Sequence, residues 1–205
     1  MFNEKISIPL SILTLAVLFS FKNLAAFPKY LGFFALIVLA SVFAKKITGY
    51  FVEVNARSEI WDFRRYWLLE YHKLSKPLPI GILLPLILYV FSYGTFKWLG
   101  ILQTEFEAKV TKKIRKRKAW SFPELRELDV ALICLASILS SLLIAFISFA
   151  FSKELALLSL LYAFFNILPI GKLDGIKLFF SSRNIYFATV LAIAGSAIIL
   201  GLLHI

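Results

Sequence analysis

The chain has 205 residues, 60% of them apolar and 17% charged, with a formal charge of +11 and a single cysteine. A water-soluble globule of this length cannot hide so much apolar surface, so the composition excludes one and predicts a polytopic helical membrane protein. Cys134, alone in an apolar run, excludes an intrachain disulfide and a cysteine metal cluster and is read as a small buried hydrophobe.

Six apolar segments follow in chain order, at about 6–21, 31–48, 78–93, 130–151, 155–170 and 185–203. They predict an all-α polytopic fold of about six transmembrane helices, or five, with a small interfacial β element, in a single membrane domain over 1–205. Several fall short of the roughly 20 residues that cross a bilayer upright, and the third and fifth are short enough to be partial or re-entrant. The first resembles a signal peptide in hydropathy. No small-residue cleavage pattern follows it, and residues 23–30 lead straight into the next apolar run, so it is read as a retained span.

Between the second and third segments, Val52, Val54 and Ala56 alternate with Glu53, Asn55 and Arg57, a period of two that predicts a short strand. Trp61, Phe63, Tyr66 and Trp67 then mix with Asp62, Arg64 and Arg65. Aromatics beside charges fit an ordered loop in the headgroup layer, with a dedicated binding surface as the alternative.

Between the third and fourth segments, Lys109, Lys112, Lys113, Arg115, Lys116, Arg117 and Lys118 crowd into one stretch. Phe106, Val110 and Ile114 recur every four residues, which predicts a basic amphipathic helix over about 103–120, lying on anionic lipid headgroups. A specific lipid or partner site on the same block is the sharper alternative. Lys and Arg accumulate in cytoplasmic loops, so the block is placed in the cytoplasm, and with six spans both termini fall on the opposite side. No nucleic-acid partner is expected, because the block lacks interleaved base-stacking aromatics. Ser121 and Glu124 have the spacing of a capping box opening the next helix, with Pro123 in its first turn.

The chemistry concentrates at the end of the fifth segment, which reads Asn166-Ile-Leu-Pro169-Ile-Gly-Lys-Leu173-Asp174-Gly175. A carboxylate at membrane depth is costly and is treated by default as functional. The run resembles the Asn-x-x-Pro…Leu-Asp-Gly signature of the site-2 protease family, intramembrane zinc metalloproteases. The resemblance implies that Asp174 stands where the family has its third zinc ligand, the other two coming from a His-Glu-x-x-His helix whose glutamate activates a metal-bound water. The second segment resembles that helix in everything but its ligands. Ala56-Arg57-Ser58-Glu59-Ile60-Trp61 is similar to the family's Ala-Glu-Phe-Arg-x-Trp stretch, and counting back from Trp61 puts Ser41 and Lys45 at the two histidine positions and Val42 at the glutamate. In the fourth segment, Ala136-Ser137-Ile138-Leu139-Ser140-Ser141 resembles Ala-Gly-Pro-x-x-Asn with its special residues replaced. The resemblance covers about 32–175. A plain helix-breaking turn, with Asp174 as a cap, accounts for the same motif without kinship.

The only histidines are His72, in a charged interfacial stretch, and His204, the penultimate residue; both are read as surface side chains. Val42 cannot act as a base, protonated Lys45 is a poor ligand, and one carboxylate does not hold catalytic zinc. No catalytic residue, metal or cofactor is therefore expected. Two placements of Lys45 stay open. In one it pairs with Asp174 and replaces the metal as the internal tie of the bundle. In the other, Lys45 and Lys46 snorkel to the headgroups from a helix end. Ser41, Ser137, Ser140 and Ser141 have no histidine to activate them, which argues against a serine hydrolase.

These observations lead to a non-catalytic, site-2-protease-like protein of the cell membrane, which binds a transmembrane segment or a membrane partner, with the strand near 52–57 as the candidate edge. One alternative is an active metalloprotease with non-standard or partner-supplied zinc ligands. Another is a small channel or transporter, for which the third, fourth and sixth segments carry few polar residues.

Overall fold

The computed structural model describes residues 3–65, 73–108 and 125–202. In chain order the elements are α1 (Glu4–Ser20), a 3-10 turn (Leu24–Ala26), α2 (Phe27–Phe51), β1 (Val54–Ile60), β2 (Phe63–Arg65), β3 (Lys73–Leu78), α3 (Ile80–Phe91), β4 (Leu102–Ala108), α4 (Glu127–Phe149), α5 (Lys153–Ile167), α6 (Asp174–Ser181) and α7 (Arg183–Leu202). The fold is mostly helical with a small β element: β1 pairs with β4, and β2 pairs with β3.

Among the described residues, three helical stretches are long and apolar enough to cross a membrane: Leu24–Phe51, Glu127–Phe149 and Arg183–Gly201. Six spans, the number expected from hydropathy, are not supported among these residues. α1, α3 and α5 have 17, 12 and 15 residues, or about 25, 18 and 23 Å of helical rise, against a hydrocarbon core of about 30 Å. Local breakers end them where hydropathy alone does not. Leu168, pushed out of the helical region by Pro169, has ψ 131 and stops α5. Tyr93 and Gly94, at φ 52 and 77, turn the chain away from the end of α3.

The helices bury hydroxyls and expose aliphatic side chains. On α1, Ser7, Ser11 and Thr14 are buried while Ile6 and Leu13 are half exposed. On α4, Ser137, Ser141 and Ser148 are buried while Leu143 and Ile147 are exposed, and on α7 Thr189 and Ser196 are buried while Leu191 and Ile198 are exposed. Most of these hydroxyls donate to a carbonyl three or four residues back, as Thr14 does to Leu10 at 2.7 Å and Ser196 to Ala192 at 2.6 Å, which satisfies a polar group away from water. Such surfaces suit a lipid solvent and not an aqueous one.

The contacts group the described chain into two compact units. One holds the chain up to Ala35 together with Ser58–Gln103, and the other holds Leu36–Arg57 together with Thr104 onward. In the first unit, the Ser58 amide donates to the Glu4 carboxylate at 3.2 Å, and the Phe21 and Tyr89 rings meet edge-on at 5.5 Å. The Trp61 amide donates to Ile101 O at 2.9 Å, and the Gly81 amide donates to Trp61 O at 2.8 Å. The chain thus leaves along α3 and comes back through residues 95–100 to the place where α3 began. A Cβ at Gly81 would collide with Ile101 O, so only glycine lets the two limbs of this hairpin approach.

In the second unit, Cys134, Ile138 and Leu142 of α4 form a core with Leu160, Ala163 and Ile167 of α5, Leu178 of α6, and Tyr186, Ile193 and Leu200 of α7. Val54 and Ala56 pack on Ile133. The alternation expected near 52–57 is the strand β1, with Val54 and Ala56 buried and Arg57 exposed; Val52 lies in the turn before it.

Two local expectations are corrected. The described part of the 103–120 segment is a strand, so Phe106 does not begin a helical face. The outward Glu105 and Glu107 alternate with Thr104 and Phe106, a period of two that outweighs the four-residue repeat. Lys109, Val110, Lys112, Lys113, Ile114, Arg115, Lys116, Arg117 and Lys118 lie outside the described residues, as do Tyr66, Trp67, His72 and His204. α4 begins at Glu127 with Arg126 as its cap, so Ser121, Pro123 and Glu124, also outside the described residues, do not open it.

Candidate functional site

Asp174 is fixed by the way α5 ends. After Leu168 and Pro169, the Ile170 amide donates to Leu168 O at 2.8 Å, Gly171 takes φ 60, and the Leu173 amide donates to Ile170 O at 3.3 Å. α6 then opens on Asp174, an acid in the first turn where the helix dipole favours negative charge. A Cβ at Gly175 would collide with Ile167 O and Ile167 C and would lie 2.7 Å from Leu168 O. The glycine of the Leu-Asp-Gly run is thus the residue that lets α6 start against the carbonyls closing α5.

Asp174 is wholly buried, and so is Thr104; Lys45, near the C-terminal end of α2, is 2% exposed. Lys45 Nζ lies 2.7 Å from Asp174 Oδ2 and donates to Thr104 Oγ1 at 2.9 Å, while Thr104 Oγ1 donates to Asp174 Oδ1 at 2.7 Å. Both carboxylate oxygens are therefore engaged, one by an ammonium and one by a hydroxyl that the same ammonium supports. Removing two charges from water costs several kcal/mol each, and the ion pair together with the two hydrogen bonds through Thr104 offsets it.

The surrounding positions fall into place around this triangle. Ser41, one turn before Lys45 on α2, shares a hydrogen bond of 2.8 Å with Ser137 of α4, both buried. The hydroxyls of Ser140 and Ser141 donate to Ser137 O at 2.8 and 3.2 Å. Val42 is buried and brings no polar atom. Asn166 is buried but spends its amide within α5, donating to Tyr162 O at 3.0 Å, and Pro169 is exposed. Lys177, one turn after Asp174, lies 5.0 Å from the centroid of the Phe106 ring, a cation–π contact. The structure therefore brings Lys45 to Asp174 and Ser41 to Ser137, and brings neither Asn166 nor Pro169 to the charged pair. Thr104 was missed from sequence; the inward–outward alternation along residues 104–107 was the signal that could have found it.

These residues do not fit zinc. A catalytic zinc site supplies three protein donors and an open position for water. Here the one carboxylate faces an ammonium and a hydroxyl, and among the described residues no group of three His, Cys, Asp or Glu could hold a metal ion. Compared with family models, with curated proteins and with solved structures, the chain matches none.

At the surface of this unit, Arg57 of β1 meets Glu107 of β4 at 3.0 Å, with the two side chains 48% and 56% exposed. Solvent screening makes such pairs worth little. Arg57→Ala is expected to cost under about 1 kcal/mol in thermal unfolding, in contrast to the buried pair.

Proposed function

We propose that this chain is a non-catalytic, site-2-protease-like, multi-pass protein of the cell membrane that binds a transmembrane segment or another membrane protein. The observation that carries the proposal is the 2.7 Å contact between Lys45 Nζ and Asp174 Oδ2, at the positions where the resemblance would place two metal ligands. An ammonium there repels a divalent cation and occupies the carboxylate that would bind it. The polar centre works as a structural tie between α2, β4 and α6.

Partner binding is supported by the small β element. Among the described strands β1 pairs with β4 alone, and a strand edge is a standard place for an extended segment to add, although the Ser58 amide of β1 already donates to the Glu4 carboxylate. The exposed aliphatic faces of α4 and α7 give the bilayer, or a neighbouring helix, a surface to pack on.

The test is metal content and proteolysis measured together. Protein purified in mild detergent and dialysed without chelator should carry zinc far below one ion per chain. It should leave a transmembrane reporter substrate intact at added zinc concentrations that sustain a metalloprotease. Near-stoichiometric zinc surviving dialysis, or cleavage abolished by Asp174→Ala, would overturn the proposal.

A further inference from the structure

The first unit holds a second concentration of charge, far along the chain from Asp174. α1 ends at Ser20 and α3 at Phe91, and the Phe21–Tyr89 ring contact sets the two ends side by side. On the returning limb of the hairpin, Lys97 Nζ sits 4.2 Å from the centroid of the Phe19 ring. Lys22 packs into the same corner. A Cβ at Gly94 would lie 3.2 Å from Lys22 Cε and 2.9 Å from the Tyr89 hydroxyl.

Lys22 and Lys97 thus lie in one corner, and among the described residues neither has a carboxylate partner. Partial burial of Lys97, followed by the nearby charge of Lys22, lowers its pKa from the ordinary lysine value, as expected for cations held together without compensation. The C-terminal end of α1 carries about half a negative charge, which leaves more than one positive charge over. The rim of the corner is apolar: Phe21 is 66%, Phe91 81% and Tyr93 93% exposed. In water such a rim would be a liability. At a bilayer surface, aromatic rings settle among the headgroups while lysines reach for the phosphates.

We propose that Lys22 and Lys97 clasp the phosphate of an anionic phospholipid, with Phe21, Phe91 and Tyr93 set around it where the headgroups meet the acyl chains. Charge and polarity together select this ligand. The pair of cations needs a negative group, and the rim needs a chain of methylenes attached to it. A free anion satisfies the first requirement alone, and a neutral lipid the second alone. The site involves none of Lys109–Lys118 and stands whether or not the pseudoprotease proposal holds.

Native mass spectrometry of the detergent-solubilised full chain, titrated with phosphatidylglycerol and separately with phosphatidylcholine, tests the site. The comparison is wild type against Lys22→Gln, Lys97→Gln and the double variant. Lys22 is exposed and Lys97 half-buried, and circular dichroism of each variant checks that folding is retained. The highest-affinity phosphatidylglycerol adduct is expected to weaken roughly fivefold for each lysine removed, with phosphatidylcholine unaffected and inorganic phosphate unable to compete. Unchanged phosphatidylglycerol affinity in the double variant would overturn the site. Equal loss of phosphatidylcholine would overturn the headgroup assignment, and so would full competition by inorganic phosphate.

Discussion

Asp174→Ala should destabilise the protein by about 3–5 kcal/mol, because it leaves the Lys45 ammonium buried without its counter-charge. Lys45→Ala should cost a similar amount for the mirror reason. The double variant Lys45→Met with Asp174→Leu should recover most of the loss, since two well-packed apolar side chains need no compensation in a low-dielectric interior. Thermal or denaturant unfolding in detergent gives the three differences. With the double variant Lys45→Ala, Asp174→Ala measured as well, a double-mutant cycle on the two alanine singles yields the coupling, expected above about 2 kcal/mol. Additive losses would mean that the 2.7 Å contact contributes little and that Lys45 draws its stability from snorkelling instead. Thr104→Val separates the roles further. It keeps shape but removes the hydroxyl that bonds both partners at 2.9 and 2.7 Å, and should cost about 1.5–3 kcal/mol, the range for a hydrogen bond to a charged group.

Gly175→Ala is the second large effect, and it arises from geometry alone. The added methyl meets backbone, Ile167 O and C and Leu168 O, and not the yielding end of a side chain. The turn at Leu168–Pro169 or the start of α6 must move. A cost of about 1–3 kcal/mol or more follows from overpacking, and the shift also pulls Asp174 away from Lys45 and Thr104. Gly175→Ala in the Lys45→Met, Asp174→Leu background should therefore lose less than in wild type, which unfolding of the two pairs measures directly. Equal losses in both backgrounds would show that the glycine serves the turn and not the charged centre.

Several features were legible along the chain because they depend on near neighbours. Apolar composition specified helices with lipid-like surfaces. Val54 and Ala56 alternating with charges specified β1, and Pro169 specified the end of α5. The Asp174-Gly175 step marked a place where charge enters an apolar segment. Counting spans failed for a physical reason: hydropathy measures how apolar a stretch is, whereas crossing a bilayer requires unbroken rise. α3 reaches about 18 Å of rise before Tyr93 and Gly94 turn it back. At Phe106 the four-residue spacing misled because helix and strand periods compete over so few residues, and pairing with β1 decides the outcome there.

What a single pass along the residues could establish was need. A carboxylate among apolar neighbours must neutralise or find a cation, and a chain this apolar must meet lipid. What waited on folding was the partner that met each need. Lys45 rather than Lys46 faces Asp174, Thr104 completes the triangle from a strand far away in the chain, and Ser41 finds Ser137. Such choices depend on how helices and strands pack in three dimensions, where a few ångströms separate a 2.7 Å ion pair from a lysine reaching for the headgroups, and no local pattern of residue types records that distance.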